Sequence, residues 1–190
     1  LYTGRIHPEK GIDLLIKSFK SIKTNWKLKI VGPSEISAGG GGLPYLNMLK
    51  ALADDANIEF SEPIYNIDVL NKFYEEASIF AYPSVAEQGE TFGLAALEAM
   101  AWGCVPVVSD LACFKDFIHH DSNGVVFNHR DKDAVLNLSE AIERLQSNFA
   151  FLEKLGVEAL NVRSTHSSAV IADEFLTHFT YLTTEAKKYN

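Results

Sequence analysis

Along the chain, short apolar runs rich in β-branched and aromatic residues alternate with longer stretches whose apolar positions recur every three or four residues. The short runs read as strands: Tyr2–Gly4, Leu28–Val31, Ile58–Phe60, Ser78–Tyr82, Val105–Ser109 and Gly124–Phe127. Ile12, Leu15, Ile16, Phe19 and Ile22 fall at helical spacing and predict a helix over Ile12–Lys23. Val69, Leu70, Phe73, Tyr74 and Ala77 repeat the pattern two helices on. Strands with near-continuous apolar content, separated by helices, point to a parallel sheet covered on both faces. The expected fold is α/β, a Rossmann-like doubly wound sheet with helices on both faces. After Asp131 the pattern turns wholly helical: one helix to about Gln146, another from about Phe149, and a last from near Ser168. These extra C-terminal helices are expected to pack on the sheet or to reach toward another domain.

Composition narrows the class. The 190 residues are 47% hydrophobic and 22% charged, ordinary values for a globular protein with a core of its own. No apolar run reaches the roughly 18 residues that span a bilayer, and the first residues lack the basic-then-apolar order of a signal peptide. Leu1-Tyr2-Thr3-Gly4 reads as a strand already under way, so the expectation is one domain over 1–190 belonging to a longer protein. A net charge of −8 argues against a broad basic face for nucleic acid, though not against a small anion held by a few cations. Cys104 and Cys113 lie in apolar contexts and read as reduced core thiols of a cytoplasmic protein. The six His residues show no metal-ligand spacing, so no metal site is expected.

In an open parallel sheet, ligands bind beyond the carboxyl ends of the strands. Two unusual loops fall at such ends and so open on one side of the domain. The first is Gly4-Arg5-Ile6-His7-Pro8-Glu9-Lys10-Gly11. Its cations suit a diphosphate, Arg5 as a planar fork and Lys10 as a point charge; two solvated surface charges is the competing reading. The second loop leads through Gly89-Glu90-Thr91-Phe92-Gly93-Leu94 into a helix, apolar almost all round, that Gly103 is placed to end. Such a helix is expected to be buried, with free N–H groups near Thr91 to Leu94 forming an anion site. Gly93 would let backbone approach a ligand closely. A carboxylate at Glu98 in a buried helix needs partners, either structural ones or a pair of ligand hydroxyls. Glu90 and Glu98 are about 12 Å apart along a helix. The roughly 5 Å of a retaining glycosidase pair does not fit that spacing. The run Ser37-Ala38-Gly39-Gly40-Gly41-Gly42 lacks the Lys-Ser/Thr ending of a P-loop and reads as a flexible loop near the cleft.

Glu90-Thr91-Phe92-Gly93-Leu94-Ala95-Ala96-Leu97-Glu98 resembles the Glu-(seven residues)-Glu motif of retaining GT-B glycosyltransferases, notably glycosyltransferase family 4. Gly4-Arg5…Lys10-Gly11, Val31-Gly32-Pro33 and Gly103-Cys104-Val105-Pro106-Val107-Val108 are similar to other segments of that family, in order. The resemblance implies the C-terminal, donor-binding half of a GT-B fold. It implies that Arg5 and Lys10 hold the diphosphate, and that Glu90, with backbone of Phe92 and Gly93, meets the sugar. Leu94 N–H would join the phosphate contacts, Glu98 would accept from the ribose hydroxyls, and the segment around Ile64 would rest against the base. The implied donor is a nucleotide sugar, a UDP-linked hexose or N-acetylhexosamine. The implied acceptor is a glycan or lipid-linked sugar in bacterial surface polysaccharide synthesis such as O-antigen. A lipid-linked acceptor would set the cytoplasmic enzyme peripherally on the inner membrane. No cofactor is implied. A non-catalytic nucleotide-sugar module predicts a damaged phosphate grip, whereas Arg5, Lys10, Glu90 and Glu98 are all present; a GT-B epimerase is the other competing reading. An NAD site fails at the first turn, which lacks Gly-x-Gly-x-x-Gly.

Overall fold

The computed structural model describes residues 1–186, so the last four residues of the expected 1–190 domain lie outside the described residues. It divides into two compact units, Leu1–Leu160 and a second beginning at Asn161. The first unit holds six strands: β1 (Tyr2–Thr3), β2 (Leu28–Val31), β3 (Ile58–Ser61), β4 (Ile79–Tyr82), β5 (Val105–Ser109) and β6 (Val125–Phe127). They form two three-stranded parallel sheets, β1-β2-β3 and β4-β5-β6, with Tyr2 opposite Ile30 and Ala81 opposite Val107. The edges of the two sheets meet at Leu1, whose amino group donates to the Ile79 carbonyl (2.9 Å) and whose carbonyl accepts from Ala81 N–H (2.9 Å). The strands therefore follow one another as 3-2-1-4-5-6, the order of a Rossmann-like domain.

All of β4 and β5 is buried, which explains runs such as Ile79–Tyr82 with no polar alternation. Outlying β3 is only half-buried, and Glu59 on it pairs with Lys27 at 3.2 Å. Helices α1 (Ile12–Ser21), α2 (Gly42–Leu52) and α3 (Ile67–Glu76) connect the first four strands. Ile12, Leu15, Ile16 and Phe19 form the buried stripe of α1, as their spacing predicts. The Asn66 side chain caps α3 by accepting from the N–H groups of Asp68 and Val69 (2.9 and 3.2 Å). Helices α4 (Leu94–Ala101), α5 (Ala134–Ser147) and α6 (Phe149–Ala159) complete this unit, with α5 packed on α1 and β6 and α6 on β5. The second unit comprises α7 (Val162–Thr165) and α8 (Ser168–Ala186), in which Phe175 and Phe179 stack at 6.0 Å.

Two expectations need correction. Helix α4 ends where expected, with Gly103 at φ 80°, but it is not buried all round. Ala96, Ala99 and Met100 face the core, whereas Leu94, Glu98 and Trp102 form an exposed stripe. Its apolar character comes largely from alanine, which suits a helix whether or not it is buried. Glu98 is therefore exposed, and the burial cost inferred for it does not arise. The glycine-rich run is likewise no free loop. Gly40, Gly41 and Gly42 donate to the carbonyls of Glu35, Ile6 and Ser34 (2.8, 2.8 and 2.7 Å), and a Cβ on Gly40 would overlap the Ser34 backbone. Close approach, not flexibility, requires glycine there.

Met100→Ala should cost about 2–5 kcal/mol of unfolding free energy. Leu94→Ala, on the exposed stripe, should stay within about 0.5 kcal/mol. Urea titration of the two variants separates these outcomes.

Candidate functional site

The loops after β1, β2 and β4 are stitched into one rim by backbone hydrogen bonds. Gly4 N–H donates to Val31 O (3.0 Å), Ile6 N–H to Pro33 O (2.8 Å) and Val85 N–H to Glu9 O (2.8 Å). On this rim Lys10, 4% exposed, closes the short turn Pro8–Lys10 and points its ammonium at the loop after β4. Its Nζ donates to Glu90 Oε2 at 2.8 Å, and both side chains are at most 9% exposed. The Tyr82 ring lies beneath, 5.6 Å from Nζ, and adds cation–π attraction. Burial first, and then the Glu90 charge, push the Tyr82 phenol well above its ordinary value. The same two causes raise the Cys113 thiol, a half-buried group beyond β5 and not the core thiol expected. Cys104 is the core thiol, donating to the Tyr74 carbonyl at 3.1 Å.

Arg5 is also partnered. Its guanidinium donates to Glu9 Oε1 (2.6 Å) and to Gly39 O (2.9 Å), so it bridges the first loop to the glycine-rich turn. Half-exposed, it remains open to a further anionic partner on its free donors. The loop after β4 has a second anchor that sequence reading missed. Arg130 grips Glu87 with two nitrogens, each at 2.7 Å, and His129 Nε2 lies 2.9 Å from Glu87 Oε1. These partners are 42 and 43 residues away from Glu87 along the chain, beyond any local pattern.

Thr91 is exposed and Phe92 half-buried, its ring centroid 5.1 Å from that of Phe117. Gly93 has φ 85°, and a Cβ there would run into the Phe114 ring. Core packing and the left-handed turn thus account for glycine at this position. Gly93 supplies no side-chain cap, and Leu94 opens the first turn of α4, whose leading N–H groups have no intrahelical acceptors. One turn further along α4, Glu98 lines a cavity of about 220 Å³ with Thr3, Gly4, Gly32, Ile64, Tyr65 and Tyr74. The structure therefore brings Glu98 and Ile64 together beside the residue preceding Arg5, and places the Lys10–Glu90 pair on the same rim. Glu98 accepts from the Tyr74 hydroxyl at 3.3 Å. A cavity of about 290 Å³ lies at the opposite ends of the strands, lined by Leu1, Leu28 and Ile79, away from all of these groups. Among the described residues, no three His, Cys, Asp or Glu side chains gather as metal ligands, and no helix is long and apolar enough to cross a membrane.

With parallel strands, a charged rim at their carboxyl ends and a helix amino terminus beside it, the comparison with known proteins is direct. The model of the family "Glycosyl transferases group 1" matches residues 1–160, the extent of the first unit. The chain belongs to this family. An uncharacterized glycosyltransferase of Methanocaldococcus jannaschii is 31% identical over 153 residues, covering 80% of this chain and 37% of the relative. The lipopolysaccharide 1,2-N-acetylglucosaminetransferase of Salmonella typhimurium is 34% identical over 125 residues, covering 62% of this chain and 32% of the relative. Among solved structures, a sucrose-phosphate synthase from Thermosynechococcus elongatus superposes with a TM-score of 0.82 at 24% identity, over 97% of this chain and 45% of that one. The group 1 domain described here thus spans about a third of the curated relatives it matches.

Breaking a buried ion pair strands one charge, so Lys10→Met should lower the unfolding free energy by about 3–5 kcal/mol. Adding Glu90→Gln to it should recover most of that loss. A double variant as unstable as the two single losses summed would show that the groups are not coupled.

Proposed function

We propose that this group 1 domain is the donor-binding half of a retaining GT-B glycosyltransferase of family 4. The observation that carries the reading is the convergence on one rim of the Lys10–Glu90 pair, Arg5, the amino end of α4 and the Glu98–Ile64 cavity. The diphosphate rests at the start of α4 on Leu94 N–H, where the helix dipole favours negative charge. Arg5 and Lys10 flank it, sharing themselves between phosphate oxygens and their carboxylates Glu9 and Glu90. The exposed Thr91 and the backbone of Phe92 and Gly93 face the sugar with Glu90. Glu98 accepts from the ribose hydroxyls, and the Ile64 segment lies against the base.

Cleavage of the anomeric C–O bond leaves negative charge on the departing diphosphate and oxocarbenium character on the sugar. The helix terminus is already aimed where the first charge develops, and the cations, shared with the diphosphate, add to that stabilisation and lower the barrier. Attack from the face the diphosphate leaves retains the anomeric configuration. The donor is a UDP-linked hexose or N-acetylhexosamine, and the acceptor a glycan or lipid-linked sugar of a bacterial polysaccharide such as O-antigen. Support for that class comes from the Salmonella relative, whose name specifies N-acetylglucosamine and lipopolysaccharide. The acceptor site belongs to an N-terminal half outside this chain, so the chain alone binds donor without transferring it. The full enzyme works at the cytoplasmic face of the inner membrane, held peripherally by its acceptor.

Calorimetric titration with UDP-, GDP- and ADP-linked sugars tests this. A UDP-sugar is expected to bind, and Arg5→Ala and Glu98→Ala each to weaken it about tenfold or more, the effect of losing a charge-assisted contact. Absence of binding by every donor, or unchanged affinity in both variants, would sink the reading.

A further inference from the structure

Glu98 sits on the exposed stripe of α4, where a long carboxylate side chain samples several rotamers and forfeits binding energy when a ligand fixes it. Something must aim it if it is to read a ribose. Tyr74 on α3 is built to do so. It is 2% exposed, with its ring 6.0 Å from that of Phe80 at 56° and its carbonyl held by the Cys104 thiol at 3.1 Å. Ring and backbone are therefore both locked. The hydroxyl lies between Thr3 Oγ1 (2.8 Å) and Glu98 Oε2 (3.3 Å).

The direction of the protons follows from the groups present. An ionised carboxylate only accepts, so the Tyr74 O–H donates to Glu98, and Tyr74 in turn accepts from the Thr3 hydroxyl. Burial first, with the Glu98 charge beside it, pushes the Tyr74 phenol well above its ordinary value, so it stays a donor. The contact to Glu98 is long for O–H···O, which leaves room for it to tighten when the carboxylate is drawn toward a ligand.

We propose that Tyr74 is a positioning residue for nucleotide recognition: its hydroxyl holds Oε2 of Glu98 and leaves Oε1 for the ribose, so that Thr3, Tyr74 and Glu98 together set a preference for ribonucleotides over 2′-deoxynucleotides. This rests on the ribose role proposed above for Glu98. It adds a residue from a different helix, buried except where it lines the same cavity, that acts through Glu98. Tyr74→Phe removes one oxygen and keeps the ring packing on Phe80.

The test is calorimetric, on the whole chain. The tightest binder of UDP, GDP and ADP is titrated beside its 2′-deoxy counterpart into the parent chain, Tyr74→Phe and Glu98→Ala. In Tyr74→Phe the ribonucleotide is expected to weaken about 3- to 10-fold, the worth of one ordinary hydrogen bond at so long a contact, while the deoxynucleotide changes less than about 2-fold. In Glu98→Ala the preference should vanish. A merely structural Tyr74 would move both ligands together. Preference kept in Tyr74→Phe but lost in Glu98→Ala overturns the inference and leaves the ribose role of Glu98 standing. No preference in the parent chain, or preference kept in Glu98→Ala, overturns the ribose role and the inference with it. Should Tyr74→Phe melt well below the parent chain, Thr3→Val removes the donor to Tyr74 instead. It should erode the preference in the same direction, and an unchanged preference there overturns the inference.

Discussion

Two charges drawn out of water on facing loops govern this rim. Lys10 and Glu90 each lose hydration on burial, and only a close, well-aligned contact offsets that loss. The 2.8 Å contact over the face of Tyr82 supplies it, and fixes the loop after β1 against the loop after β4 where the two sheets meet. The placement of the neighbouring groups follows from that contact. Glu9, next to Lys10 in the chain, accepts Val85 N–H with its carbonyl and Arg5 with its carboxylate. The cations of the site are thus held in place and individually neutralised. On the proposed reading, an arriving diphosphate meets preset groups whose charge is available only by sharing it with Glu9 and Glu90. Such sharing favours a doubly charged ligand over a weaker anion.

Beneath the charges runs a line of aromatic rings. Tyr74, Phe80, Tyr82, Phe114 and Phe117 follow one another with centroids 5.9 to 6.4 Å apart, and Phe92 closes the line at 5.1 Å from Phe117. The line carries rigidity from α3, behind Glu98, to the turn that starts α4. Gly93 belongs to the same packing, because the Phe114 ring fills the space a side chain would need. Precise placement of polar groups at this site is therefore a consequence of core packing, and the strand ends supply the stiffness that a loop alone would lack.

Much of the fold was legible because a buried parallel sheet writes itself into the chain as apolar runs; Leu28–Val31 and Val105–Ser109 have the very bounds the runs predict. The shared rim of the Arg5–Lys10 and Glu90–Glu98 segments was legible too, since loops after parallel strands open on one side. Partnerships across the fold were not. Lys10 and Glu90 are 80 residues apart, and each reads locally as a free charge. Tyr74 was visible only as an apolar position in an amphipathic helix, because periodicity reports the ring and is silent on the hydroxyl. The exposed stripe of α4 was hidden for a related reason: alanine counts as apolar yet tolerates either side of a helix, so Leu94 and Glu98 could not be placed until the packing of Ala96, Ala99 and Met100 was seen.

A crystal structure of the chain grown with UDP examines the central claim most directly. The expected result is a diphosphate at the amino end of α4, with one phosphate oxygen within hydrogen-bond distance of Leu94 N and another facing the Arg5 guanidinium, and the ribose beside Glu98. A diphosphate bound at the opposite ends of the strands, in the cavity lined by Leu1, Leu28 and Ile79, would contradict it.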